Sequence, residues 1–148
     1  MADTISRYNH TSALFLNGGV DLNNLAIMLL TGAATFNAAN TTLDQVAGAV
    51  SGGHRPREVY GNGWDEGGEA FAVTVTTVEG SGAMLDGTDI EVTATGGDIG
   101  PTEAYIIIDK TNSRPLWFID LDAPRTANEG TPFKITVNAL GVYRILNA

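Results

Sequence analysis

The chain has no cysteine. Disulfides, thiolate zinc sites, iron–sulfur clusters and thiol nucleophiles are therefore excluded. Histidine is nearly as scarce. His10 and His54 are the two present, and neither stands in a His-x-x-x-His spacing or a Ser/His/Asp order. Basic residues are few as well: 8 Lys and Arg stand against 17 Asp and Glu, a formal charge of −9. A polyphosphate is repelled over most of such a surface, so a nucleic-acid partner is not expected outside the local pair Arg55 and Arg57. The same imbalance favours a basic protein partner. Long apolar runs are missing too. The longest, Leu25 to Leu30, falls far short of the ~20 residues that span a bilayer, so no membrane partner is expected. Met1-Ala2-Asp3-Thr4 is not a basic segment leading into an apolar one, which argues against a secretory leader and for assembly in a cytoplasm.

At 148 residues the chain is expected to form one domain. A chain of this size buries roughly 70% of its unfolded surface and needs no covalent staples. The 43% hydrophobic content is too high for disorder. Eighteen glycines, many Thr and Val, and only 17% charged residues point to strands and turns.

Residues 1–8 are polar and without period, and read as an extended N-terminal arm ahead of a single domain over 9–148. Asn9 or Thr11 is placed to cap a short helix through Ala13 to Leu16, stopped by Asn17-Gly18-Gly19. So short a helix must dock on something to exist. Leu25 to Leu30 is apolar on both faces, the pattern of a central strand covered on both sides; a buried helix segment is the alternative. Thr42 followed three residues on by Gln45 has the capping-box form, and predicts a short helix over about 43–47. Gly52-Gly53 and the Gly61–Gly68 stretch around Trp64 read as loops. From Glu69 onward the period is two. Phe71/Val73/Val75, Ile90/Val92/Ala94 and Phe133/Ile135/Val137 each define a strand face, Ala83 to Leu85 a short strand, and turns fall near Gly80-Ser81-Gly82 and Gly96-Gly97-Asp98. Glu103 to Asp109 and Pro115 to Leu121 pair across the polar turn 110–113, and Val142 to Leu146 forms a last strand. The sum is a mainly β protein: an antiparallel, jelly-roll-like β-sandwich of about seven or eight strands with one or two short helices.

Several of these runs recur in a recognisable order. Leu16 to Leu22 (Leu-Asn-Gly-Gly-Val-Asp-Leu) is followed by the strand Ala26 to Thr31. Gly61 to Gly68 comes next, then Tyr105-Ile106-Ile107-Ile108-Asp109, Pro115-Leu116-Trp117-Phe118-Ile119-Asp120, and a closing Phe133 to Leu146 hairpin. This ordered set, over nearly the whole chain, resembles a family of small structural proteins of tailed-phage virions. Trp64 stands where the family usually has tyrosine, Val137 where it has tryptophan, and the stretch 49–57 is longer. Members resemble capsid decoration, or cement, proteins. The resemblance implies a location on the outer head surface, a homotrimer and the major capsid protein as partner; no nucleophile–base pair or metal-ligand set is visible in the sequence, so no enzymatic activity or cofactor is expected. A tail or neck protein of the same phage, or a carbohydrate-binding module for host attachment with Trp64 and Tyr60 as stacking platforms, are the alternatives.

Candidate contact residues are Thr4, Ile5, Arg7 and Tyr8 of the arm, Arg55 and Arg57 in the glycine-rich loop, and the loop aromatics Tyr60 and Trp64. Trp117, between Leu116 and Phe118, reads as core. Asp109, Asp120 and Asp122 could converge as an oxygen-only calcium site, or could start turns. Gly61 to Gly67 superficially resembles a phosphate loop, but lacks a lysine and carries Asp65 and Glu66, which repel phosphate.

Overall fold

The computed structural model describes residues 3–78, 82–137 and, as backbone, 143–146. Met1, Ala2, Gly80, Ser81 and Val142 lie outside them. Eleven strands and two helices are described: β1 (Thr4–Arg7), α1 (Thr11–Leu16), β2 (Leu25–Leu30), α2 (Leu43–Ala47), β3 (Glu58–Val59), β4 (Glu69–Ala70), β5 (Val73–Val78), β6 (Gly82–Gly87), β7 (Ile90–Thr93), β8 (Ile99–Asp109), β9 (Arg114–Ala127), β10 (Pro132–Ile135) and β11 (Tyr143–Leu146). The protein is mainly β, and every strand pairing is antiparallel.

A six-stranded sheet in the order β1-β9-β8-β2-β3 organises the molecule, with β4 beside β3 on the same flank of β2. All six residues of β2 are buried. Leu25, Ile27 and Leu29 point into one apolar cluster, and Ala26, Met28 and Leu30 into another. The run without alternation is thus the central strand it was expected to be, because a strand covered on both faces has no polar side to show.

The two covers differ. On the Ile27 side the sheet faces a second β layer, made of the pair β10-β7 and the triplet β11-β6-β5. Trp64, Phe71, Leu85, Ile90, Phe133 and Ile135 fill that interface with Ile107, Trp117 and Ile119. On the Met28 side the cover is α2 and its flanking loops. Leu43, Val46, Ala47, Ala34 and Tyr8 pack there on Ala104, Ile106, Ile108 and Phe118.

Both helices are anchored as their lengths require. α2 spans the residues expected, with the Thr42–Gln45 box formed: the Gln45 side-chain oxygen accepts from the Thr42 N–H at 3.1 Å and the Thr41 N–H at 2.7 Å. At α1 the N-cap is His10, not Asn9 or Thr11. The Thr11 hydroxyl instead donates to the Leu116 carbonyl at 2.7 Å, and Phe15 packs its ring 5.6 Å from Trp117. Docking on β9 has taken the side chain that would have capped the helix.

Residues 4–8 are extended, as expected of an arm, but not detached. Thr4 pairs with Asp120 and Arg7 with Trp117, so the boundary after Tyr8 separates no arm from the domain. β8 and β9 also run past the expected strand ends. Asp120, Asp122 and Pro124 lie within β9 rather than in a turn, on a stretch whose register with β8 shifts between Ile99 and Ala104. Such irregularities let a strand carry a proline that a regular ladder would refuse.

Candidate interaction surface

The expected contact residues divide into exposed and internal groups. Thr4, Ile5 and Arg7 are exposed on β1, at the free edge of the large sheet, and Ile5 keeps 65% of its surface. The alternation of a strand sends Ile5 to the Ile119 side and Thr4 and Ser6 to the Phe118 side. A cleft opens beside the edge on each side. The first, of about 210 Å³, is lined by Ile5, Ile119, Tyr105 and Ile135, with Asp3 at its rim. Asp3 forks onto the Arg125 guanidinium with both oxygens at 2.8 Å, which ties the start of β1 to the far part of β9. Burial, and then the Asp3 carboxylate, push the Tyr105 phenol up to about 12 against the opposing pull of Arg125. The second cleft, of about 440 Å³, is lined by Thr4, Ser6, Phe36, Glu103, Phe118 and Asp120.

Tyr8 is a correction. It was expected at a contact surface, yet it is fully buried, with its ring 5.1 Å from Phe36 and its hydroxyl without a hydrogen-bond partner. Trp64 is another. It is 1% exposed and meets Phe133 edge-on at 5.5 Å. Gly61 and Trp64 exchange both backbone hydrogen bonds, at 2.8 and 3.1 Å, closing a tight loop over the ring. The loop needs glycine. Gly63 has φ +111°, and a Cβ there would lie 3.0 Å from the Thr93 carbonyl oxygen. Trp64 therefore plugs the β-layer core and offers no platform to a sugar.

Arg55 and Arg57 are half-buried and engaged within the chain. The Arg55 guanidinium pairs with Asp44 at 2.6 Å and donates to the Gly48 carbonyl at 2.7 Å. Arg57 Nε donates to the Val46 carbonyl at 2.8 Å. These carbonyls belong to the C-terminal end of α2, where a short helix leaves acceptors unsatisfied and its dipole favours a cation. The two arginines thus hold the 48–57 loop to α2, rather than standing as free loop cations. Tyr60 is 37% exposed, stacked on His54 at 5.3 Å.

Sequence reasoning missed Glu58. Its side chain is buried on β3 and accepts the Gly67 N–H, while His54 bonds Glu66 just outside. Burial is the main cause that raises the Glu58 carboxyl above the ordinary glutamate value. Glu66 adds to this, whereas the Gly67 bond, Arg55 and His54 oppose it. The only sequence hint was a lone acid between Arg57 and the apolar Val59.

The aspartates do not converge. Asp109 is buried at the turn end of β8, where it accepts from the Asn112 side chain at 2.7 Å and from the Asp21 N–H at 3.2 Å. It starts the β8–β9 turn, which Ser113 closes at φ +53°. Asp120 pairs in register with Ala104, several residues away along the hairpin. Among the described residues no group of three or more His, Asp or Glu could hold a metal ion.

Compared with known proteins, the chain matches no family model, no curated protein and no solved structure.

Proposed function

We propose that this chain is a structural protein of a tailed-phage virion. It decorates the outer head surface as a homotrimer and clamps neighbouring major capsid proteins against the pressure of packaged DNA. One observation supports the reading most. The runs Ala26 to Thr31, Tyr105 to Asp109 and Pro115 to Asp120 fall on the adjacent strands β2, β8 and β9. The Leu16 to Leu22 run closes on the turn beside them: Asp21 bonds Asp109 and Thr111, and Gly19 accepts from Asn112. Motifs some 90 positions apart thus build one unit, as they must if they are signatures of one fold rather than unrelated strand patterns.

The proposed contact with the major capsid protein is the β1 edge, Thr4, Ile5 and Arg7, with the two clefts beside it. A clamp that binds only the assembled lattice stabilises it by mass action, and three linked weak contacts act as one strong one. Assembly takes place in the host cytoplasm, and neither nucleic acid nor membrane is a partner. The glycan-binding alternative loses Trp64 to the core, and no observation favours it.

Quantitative mass spectrometry of purified particles tests the proposal. Parity with the major capsid protein supports lattice decoration. A small fraction of parity moves the chain to the tail or neck and overturns the clamp.

A further inference from the structure

Among the described residues, the strands at the sheet edges are guarded in all cases but one. β1 is only four residues long and ends in Arg7, and β3 and β4 have two residues each. β7 carries Glu91, β10 begins with Pro132 and carries Lys134, and β11 is four residues long. Short length, charge and proline are the devices by which edges refuse a further strand. β5 has none of them. It runs for six residues as Val-Thr-Val-Thr-Thr-Val, with no charge and no proline. It pairs with β6 in unbroken register from Val73↔Gly87 to Val78↔Gly82, and its other edge has no partner among the described residues.

Thr74, Val75, Thr76 and Thr77 are all exposed, so this stretch of β5 is uncovered on both faces, while Val73 at the start of the strand packs half-buried against the β-layer core. Val75 lies across from Leu85, which is 4% exposed in the β-layer core, yet Val75 itself keeps 63% of its surface. The core reaches β5 at Val73 and leaves Val75 overhanging it.

We propose that β5 is a self-association edge, and that its occupant is β5 of a second copy of this chain, paired antiparallel about a twofold axis. Charge selects this occupant. A basic partner would be drawn to carboxylates, and β5 presents none. Two molecules of charge −9 can approach closely only where each is uncharged, and this strand is such a place. Composition agrees. With the axis at Val75, Val75 faces its own copy, Thr74 faces Thr76 and Val73 faces Thr77, all pairings that suit a ladder. The axis also keeps like faces together, so the two exposed Val75 side chains cover each other. A twofold contact closes on itself and builds no filament. It is independent of the threefold grouping proposed above, and would join two such groups.

Sedimentation of the full chain at rising concentration, to roughly 1 mM because a single strand pair is a small interface, provides the test. The expected result is a doubling of mass. Val75→Lys abolishes it without altering the circular dichroism or the melting curve. No association, or association indifferent to Val75→Lys, overturns the proposal. The absence of cysteine allows a second readout. An axis residue meets its own copy at about 4.5–5.5 Å between Cα atoms, within disulfide reach. Mild oxidation of Val75→Cys or Thr76→Cys, whichever lies on the axis, therefore gives covalent dimers, and the exposed control Ala33→Cys gives none. Failure of both positions to cross-link excludes the twofold register.

Discussion

The two faces of the large sheet are covered by different means. The β-layer face is filled by large rings, Trp64, Phe71, Trp117 and Phe133, supplied by β9, β10, the glycine loop and the link between β4 and β5. The helix face presents mostly aliphatic residues, Ala26, Met28, Leu30, Ala104, Ile106 and Ile108, and a five-residue helix covers them through Leu43, Val46 and Ala47. Rings contribute area, so the first face is held mainly by shape and burial. So short a helix has little area of its own, and its position depends on polar ties: the capping box at one end and Arg55 and Arg57 on its terminal carbonyls at the other. One sheet thus has a cover held by packing and a cover held by hydrogen bonds.

The largest effect that would break this comparison is expected on the packed face. Trp64→Ala removes the plug under the glycine loop and should cost about 3–5 kcal/mol in urea denaturation. A loss below about 1 kcal/mol would mean that the loop collapses to fill the space. On the tied face, Arg57→Ala is expected to cost about 1.5–3 kcal/mol, the range for a hydrogen bond to a charged group. Amide exchange should rise in 43–48 and stay unchanged in β7 and β10; uniform exchange would show that the two covers are not separable.

A pH series sharpens the contrast further. The folded protein holds the Glu58 proton more tightly than the unfolded chain, since the carboxyl is raised. The folded state therefore binds more protons across the window from the ordinary glutamate value up to the raised one, and this group's contribution to stability falls as pH rises through it. Glu58→Gln keeps an acceptor for the Gly67 N–H and removes the titration. It should gain stability relative to the parent at neutral pH more than at pH values below the ordinary glutamate range, as read from melting curves. Equal differences at both ends would remove the buried carboxyl from the account. The smallest effect is expected at Tyr8→Phe. Its hydroxyl is buried without a partner, so the change should be neutral or stabilising by about 1 kcal/mol. A clear loss would reveal a partner for that oxygen.

Much of the fold was legible because local signals agreed with tertiary demand. β2 showed by its lack of period, α2 by Thr42 and Gln45, and the β8–β9 hairpin by two apolar runs around a polar turn. Less was legible where a residue's fate depends on a distant backbone atom. Thr4-Ile5-Ser6-Arg7 carries no strand period, and is a strand because residues 117–120 of β9 accept it in antiparallel register. Arg55 and Arg57 look like free loop cations, since the carbonyls they serve are set by where α2 ends. At the candidate contact surface, the sequence grouped Thr4, Ile5 and Arg7, which are exposed, with Tyr8, which is not. It could not separate them from Tyr8, because burial of that ring depends on Phe36, whose packing no local pattern announces.

The pairing of β1 with β9 has a consequence for synthesis. Thr4 finds Asp120, and the Thr11 hydroxyl finds a carbonyl 105 positions later. As the polypeptide emerges from a ribosome, its first strand must wait, unpaired, until most of the chain has been made. Topologies dominated by such distant pairings fold slowly, and exposed strands are vulnerable to misassociation while they wait. The polar, four-residue character of β1 fits that delay: it can stay in water without harm until β9 arrives.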